Sequence, residues 1–448
     1  MKIAVIGAGI SGLSAAWLLG LRHRVTLFEA NRYLGGHTNT VDVALEGVRH
    51  PVDTGFLVFN RRTYPNLTAM FSHLGVRAAQ SDMSFSVSFT DQDLEWAGTS
   101  LDTVFGQRRN IVRPGMWRML ADVMRFNRAA TRIALHREAD ARTLGEFLAA
   151  GRYSSEFVDW YLLPMAAAIW SCPTGAMLDY PLEAFVRFCH NHGLLQIANR
   201  PQWLTVAGGG REYVKRLADR IADIRPATRI RAVDPGPAGV IVASDRGVER
   251  FDAAVLACHA DQALRMIVRP TADERRVLGA IKYERNRAVL HTDSRLLPRR
   301  RALWSAWNYV GAQAGPDGRP VGVSYLINKL QPVPFKTPVV VTLNPPIAPD
   351  PRRVIAEFDY EHPMFGPGAT AAQAALGGIQ GERGLWFCGA WAGHGFHEDG
   401  LKAGLGVANS LGCLAPWQTP GRQPASSDVV REEMAAEARA RIAEGAEA

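Results

Sequence analysis

The hydrophobic pattern switches between short unbroken apolar runs and longer helical periodicities, and the two meet at the N-terminus. Residues 2–6 (K-I-A-V-I) are β-branched or small apart from the leading lysine, which predicts a strand buried on both faces. A turn, Gly7-Ala8-Gly9-Ile10-Ser11-Gly12, leads into an apolar helix over 13–21, and a second buried strand is expected over 24–28, ending at Glu29. Next, 41–52 reads as a strand pair turning at Glu46-Gly47, and 84–89 (S-F-S-V-S-F) alternates like a half-buried strand. Helical periodicity returns over 115–133, and Thr143-Leu144-Gly145-Glu146 fits a capping box. The segment 157–195 is dense in large apolar residues (Trp160, Tyr161, Trp170, Phe185, Phe188) and predicts core. Beyond Trp203, Tyr213, Leu217 and Ile221 share a helix face; a hairpin and a core strand fill 228–258, and further strands lie near 288–291 and 339–343. A last strand, 384–389, ends in glycine and leads to a helix of small residues over 403–411.

The first turn carries chemistry. Gly7 allows the tight turn, Gly9 lets backbone approach a pyrophosphate, and Gly12 lets the helix pack closely on the strand. The helix N-terminus presents unpaired N–H groups and a positive dipole end to phosphates. Glu29, seventeen residues past Gly12, is placed to accept hydrogen bonds from a ribose diol. Such a glycine pattern also arises as a plain structural turn, but here strand, helix and acid all fall where a dinucleotide needs them.

At 448 residues, two or three domains are expected. The longest apolar run of the central region, 160–170, is interrupted by Pro164 and is far shorter than the ~18–20 residues that span a bilayer. With a strand expected from residue 2, no secretory signal is expected. Five cysteines lack C-x-x-C or metal-type spacing, which predicts buried thiols in a reducing compartment and no metal site. The net charge of +8 admits nucleic acid, an anionic membrane or an acidic substrate as partner, and no nucleic-acid-binding motif is present. Seven arginines and one acid, Asp122, lie between Arg108 and Arg132. On a helical wheel Arg118, Arg125, Arg128 and Arg132 form one stripe, and Trp117, Leu120, Val123 and Met124 another. Either this is a surface helix with its apolar stripe in the core, or it lies on an anionic bilayer with arginines at the headgroups.

Arg32-x-x-Gly35-Gly36 after the acid, Asp53-Thr54-Gly55, the return at Gly208-Gly209-Gly210 and the closing Gly389 and Gly395 loop together resemble FAD-dependent amine oxidases and phytoene-type desaturases. The resemblance implies FAD and an α/β fold, a Rossmann-like FAD-binding domain interleaved with an α+β substrate domain (flavin amine oxidase-like). The FAD-binding domain would comprise 1–75, 203–265 and 375–415, the substrate domain 76–202 and 266–374, and 416–448 a frayed polar tail. It extends the cofactor-binding set from Gly7, Gly9, Gly12 and Glu29 to Ile10, Ser11, Ala30, Arg32, Gly35, Gly36, His37, Thr38, Gly55, Gly389, Gly395, Phe396, His397 and Ala403. It also places the aromatic segment 157–195 as a wall of the substrate cavity. His394, His397 and Glu398 would face the flavin as candidate bases, each also able to bind FAD or brace the loop. His37 is a flavin-side base, a covalent attachment point, or a polar residue satisfying its loop. One departure stands out. Many members carry an acid straight after the strand glycine, where this chain has Ala390, so Asp399, Glu398 or backbone must take its place.

More narrowly, residues 389–401, G-A-W-A-G-H-G-F-H-E-D-G-L, resemble a bacterial group associated with cyclopropane-synthase-like lipid methyltransferases. Some of its members desaturate phospholipid acyl chains in furan fatty acid formation. That implies removal of a hydride and a proton beside an existing double bond, with O2 as reoxidant. It also implies a cytoplasmic protein, peripheral on the inner face of the membrane. The partners implied are a phospholipid acyl chain or other apolar substrate, an anionic membrane surface and a lipid methyltransferase, and no nucleic acid. A flavin amine oxidase with Trp391 and Phe396 as its aromatic pair, a carotenoid-type desaturase or isomerase, and a non-catalytic flavoprotein scaffold are the alternatives. A single dinucleotide fingerprint predicts no use of soluble nicotinamide.

Overall fold

The structure, a computed structural model, describes residues 1–136, 140–170, 174–196, 200–311 and 322–418. A five-stranded parallel sheet holds, in spatial order, Asp223–Arg225, Arg24–Phe28, Lys2–Ile6, Ala253–Leu256 and Leu385–Phe387. Its central strand is unbroken and apolar because both faces are covered. Ile3 and Val5 enter a core with the helices Ile10–Leu19, Arg211–Ala218 and His397–Ser410, whereas Ala4 and Ile6 enter one with the three-stranded sheet over 230–251. The strand period of two makes that division.

The second domain is built on a seven-stranded mixed sheet. Its order is Val354–Met364, Lys282–His291, Val340–Leu343, Val323–Leu326, Trp307–Gly311, Phe85–Phe89 and Leu94–Ala97. Every neighbouring pair is antiparallel except Trp307–Gly311 with Phe85–Phe89. A helical layer, including Pro114–His136, Leu163–Trp170 and Leu182–Asn191, encloses the aromatic core of Phe126, Phe157, Trp170 and Phe185. Thr143 and Glu146 form the expected capping box, Glu146 N–H to Thr143 Oγ1 at 3.2 Å and Thr143 N–H to Glu146 Oε2 at 2.9 Å. Among the described residues no helix is long and apolar enough to cross a membrane.

Three expectations are corrected. The segments 266–281 and 367–374 pack in the nucleotide domain, where Val277, Leu278, Ile281, Ala369 and Ala372 are buried with Ile6 and Leu256. A short amphipathic helix carries no mark of which core its apolar face will meet. The chain also stays ordered past 416, since Trp417 packs 6.0 Å from the Trp17 ring; residues 419–448, like Cys172, lie outside the described residues. Finally, the arginine-rich helix buries Met116, Met119, Phe126 and Ala130, leaving Trp117 and Met124 exposed, with Leu120 and Val123 at the border.

Candidate active site

Two helix N-termini converge on one cavity. Gly7 has φ +104°, a conformation that side-chain-bearing residues avoid, and a Cβ there would sit 2.6 Å from Ala257 O. A Cβ on Gly12 would lie 1.8 Å from Gly7 O, whereas one on Gly9 would meet nothing within 4 Å. Gly9 therefore lines open space at the mouth of the helix Ile10–Leu19, where a pyrophosphate needs it. The Glu29 carboxylate accepts from Ala8 N–H and Asn31 N–H, both at 2.8 Å, which fixes the acid against the loop at the end of its strand.

The closing helix His397–Ser410 lies against the first, with Gly400 and Gly404 meeting Ile10 and Ser11 at distances that leave no room for a Cβ. His397 heads it. Its ring stacks on Phe56 at 3.8 Å, and Nε2 contacts Tyr213 Oη at 2.7 Å and Thr38 Oγ1 at 3.0 Å. Burial pushes its pKa down to about 3, so the imidazole is neutral and its Nε2 is engaged by the protein. Gly55 lets the loop approach, since a Cβ there would lie 2.1 Å from His37 O.

His37 stacks on Tyr360 at 5.1 Å, near His362 and His259 at 5.3 and 6.2 Å. Burial, reinforced by those neighbours, holds its pKa well below the usual range. Its Nε2 is buried without a hydrogen-bond partner among the described residues. A buried polar atom left over in a cavity wall can be satisfied by a bound polar group or water.

The cavity has a volume of about 1160 Å³, larger than the ~300–1,000 Å³ of ordinary ligand sites. Of the residues predicted to bind cofactor, Gly7, Gly9, Ile10, Ser11, Glu29, Ala30, Gly35, Gly36, His37, Gly55, Gly389, Gly395, Phe396 and His397 line it. Gly12, Arg32, Thr38 and Ala403 do not. Gly12 faces the strand, Arg32 is exposed, Thr38 stands behind His397, and Ala403 packs on the sheet-side core. Of the candidate bases, His394 is exposed and Glu398 faces away from the cavity. Glu398 accepts from Asn66 N–H at 3.0 Å, Asn66 Nδ2 at 2.8 Å and Leu67 N–H at 2.9 Å, capping the helix Pro65–Leu74. Burial outweighs these bonds and pushes its carboxyl up to about 7. Asp399 accepts from His394 N–H and Phe396 N–H, both at 3.1 Å, so both acids offered as substitutes for the one absent at Ala390 are engaged by donors of the protein itself.

Sequence reasoning missed Tyr64, His192, His259, Tyr360 and His362, which also line the cavity. They come from four segments, Tyr360 and His362 sharing the strand Val354–Met364, with no motif spacing between the segments; His192, stacked on Phe188 at 3.9 Å, follows a helix otherwise read as core. Open space at Gly9, the two helix N-termini, the placed carboxylate and the orphan His37 Nε2 fit a dinucleotide. Acid denaturation should release all of that cofactor; flavin retained on the precipitated protein would make His37 the attachment point.

The chain matches the family described as Flavin containing amine oxidoreductase over residues 10–300. It is 52% identical over 46 residues to an L-amino-acid oxidase from Bungarus fasciatus, covering 10% of this chain and 9% of that protein, a small part of the relative's length. Cyclohexylamine oxidase from Brevibacterium oxydans is similar over 92% of this chain and 99% of its own, with a TM-score of 0.66 and 17% identity. A CLA-producing fatty acid isomerase from P. acnes is similar over 91% and 98%, with a TM-score of 0.63 and 16% identity. At such identities the two structures establish a shared fold, and the Rossmann-like domain interleaved with a substrate domain is that fold.

Proposed function

This chain belongs to the flavin containing amine oxidoreductase family, and from that premise we propose that it desaturates an unsaturated fatty-acyl chain of a phospholipid. FAD, the cofactor of this oxidoreductase, would supply the hydride acceptor when bound, with O2 as the final electron acceptor. Gly7, Gly9, Glu29, Gly35, Gly36 and His37 hold FAD. The product is a conjugated diene, as furan fatty acid formation requires.

The observation that carries this reading is the character of the wall supplied by the second domain. Ile169, Phe188, Leu194, Trp307 and Leu343 line one side of the cavity with Trp203 beside them, whereas the charged lining residues of that domain lie on the strands Lys282–His291 and Val354–Met364, where Arg285 pairs with Asp359 at 2.8 Å and Glu361 meets His259 Nδ1 at 3.2 Å. His192 joins the apolar side as a neutral ring, its pKa lowered to about 4 by burial. Such a wall binds methylene groups, each worth about 0.8 kcal/mol on leaving water, and excludes water from the reacting carbons. The amine oxidase alternative relied on Trp391 and Phe396 as an aromatic pair. Both residues line the cavity, with the Trp391 indole donating to Cys258 O at 3.1 Å and Phe396 stacked on Phe188 at 4.8 Å, so amine oxidation stays the second reading.

Anaerobic titration of the yellow holoenzyme tests the reading. Vesicles of monounsaturated phospholipid should bleach the flavin, while NADH or NADPH should not; mass analysis of the lipid should show loss of two hydrogens. Bleaching by cyclohexylamine but not by lipid would replace acyl desaturation with amine oxidation. Bleaching by a carotenoid alone would move the substrate to that class. Bleaching by none of these would favour a flavoprotein partner of a lipid methyltransferase.

A further inference from the structure

The arginine-rich helix Pro114–His136 turns an apolar line outward. Trp117, Met124 and Leu135 are 53%, 42% and 63% exposed. At about 100° per residue they stand within ~20° of one another around the helix axis. Ile111 and Val112, just ahead of the helix, are 46% and 81% exposed. They form a shallow groove with Pro114 and Trp117, whose indole N–H donates to Ile111 O at 2.8 Å. Scattered exposed apolar side chains are ordinary on a protein surface; a line of them along one helix marks a contact surface.

Charge says what the contact is. The segment 101–136 holds seven arginines against Asp102 and Asp122. Arg128 lies on the apolar line itself, and Arg118, Arg125 and Arg132 run along its flank. Arg118 is paired with Glu156, and Arg125 with Asp122 at 2.9 Å, so these two are held in place by the fold while still 58% and 48% exposed. The buried face packs Phe126 against Phe185 of the helix Leu182–Asn191, and Phe188 of that same helix lines the cavity.

We propose that Ile111, Val112, Trp117, Met124 and Leu135, together with Arg128 and the flanking arginines, dock this protein on an anionic bilayer surface. The apolar line enters the headgroup boundary, Trp117 sits where an indole prefers to lie, and the arginines meet lipid phosphates. This surface goes beyond the acyl-desaturation reading and does not depend on it, because docking is read without turnover.

The test is co-sedimentation of the purified holoenzyme with phosphatidylglycerol–phosphatidylcholine vesicles and with phosphatidylcholine vesicles. Binding should require the anionic lipid and weaken with salt. Val112→Asp with Trp117→Asp should reduce partitioning by about tenfold or more, and Arg128→Glu by several-fold, at unchanged FAD content. Val248→Asp, which charges an apolar residue 68% exposed on the nucleotide domain, should have no effect. Should the double variant lose FAD, Arg128→Glu decides. Equal partitioning to neutral vesicles, or binding that survives these substitutions, overturns the proposal. So does a wild-type dimer in sedimentation velocity that the double variant dissociates with vesicle binding intact, which would give this face to a second copy.

Discussion

Gly9→Val should give a folded, colourless protein, whereas Gly12→Val should not fold. The two glycines are three residues apart in one motif, and the structure separates their roles. A Cβ at Gly9 meets no atom of the described residues within 4 Å, so the cost falls on whatever occupies the cavity. Valine there blocks phosphate approach to the helix N-terminus. Losing two charge-assisted hydrogen bonds at ~1.5–3 kcal/mol each weakens FAD binding on the order of 10²-fold or more. A Cβ at Gly12 would lie 1.8 Å from the Gly7 carbonyl oxygen, inside the strand–helix contact. That exceeds the ~1–3 kcal/mol of ordinary overpacking. Visible absorbance and thermal melting of the two variants check the pair. A yellow Gly9→Val protein would refute the pyrophosphate position, and a stable Gly12→Val protein the packing role.

Acidification from pH 6 to 4.5 should destabilise the protein steeply. Burial depresses the pKa of His192, His291 and His362 to about 4 and of His397 to about 3. Unfolded, these groups titrate near ~6.5. Their contribution to stability is therefore present above that value and is lost as pH falls toward the folded values. Asp53 and Glu398 oppose this, since burial raises them to about 6 and about 7. They are protonated in the folded protein and ionised in the unfolded chain above pH ~4.5, so acid favours the fold at those two sites. From these six groups alone, four histidines against two acids leave a net uptake of about two protons on unfolding, or roughly 3 kcal/mol per pH unit. Lowered His37 and His259 act in the same direction as the four. Urea unfolding at pH 6 and pH 4.5 measures the slope. His291 is fully buried away from the cavity, with Nε2 2.8 Å from Thr342 Oγ1 and Nδ1 accepting from Asp293 N–H. His291→Asn should remove about one proton from the slope. A flat or reversed profile would mean that the two acids dominate.

The strand, glycine loop, helix and acid over 2–29 were legible in the sequence because their roles are local. Gly7, Gly9 and Gly12 act through backbone geometry within a few residues, and Glu29 through the end of its own strand. The interleaving of the two domains came from the family resemblance carried by Arg32-x-x-Gly35-Gly36, Gly208-Gly209-Gly210 and the Gly389 and Gly395 loop, and not from the strand pattern. Direction around a helix was not legible. His397 and Glu398 are neighbours in the loop motif, yet successive helix residues point about 100° apart. One therefore reaches Phe56 and the cavity, and the other caps Pro65–Leu74. The arginine-rich helix repeats the lesson: the wheel gave the stripes, but only the packing of Phe126 on Phe185 and Phe157 decided which faced inward. His192 had no signal in its own segment. Its place beside Tyr64, Phe188, Trp203 and Phe396 joins residues up to hundreds of positions apart, and only the folded chain brings those rings together.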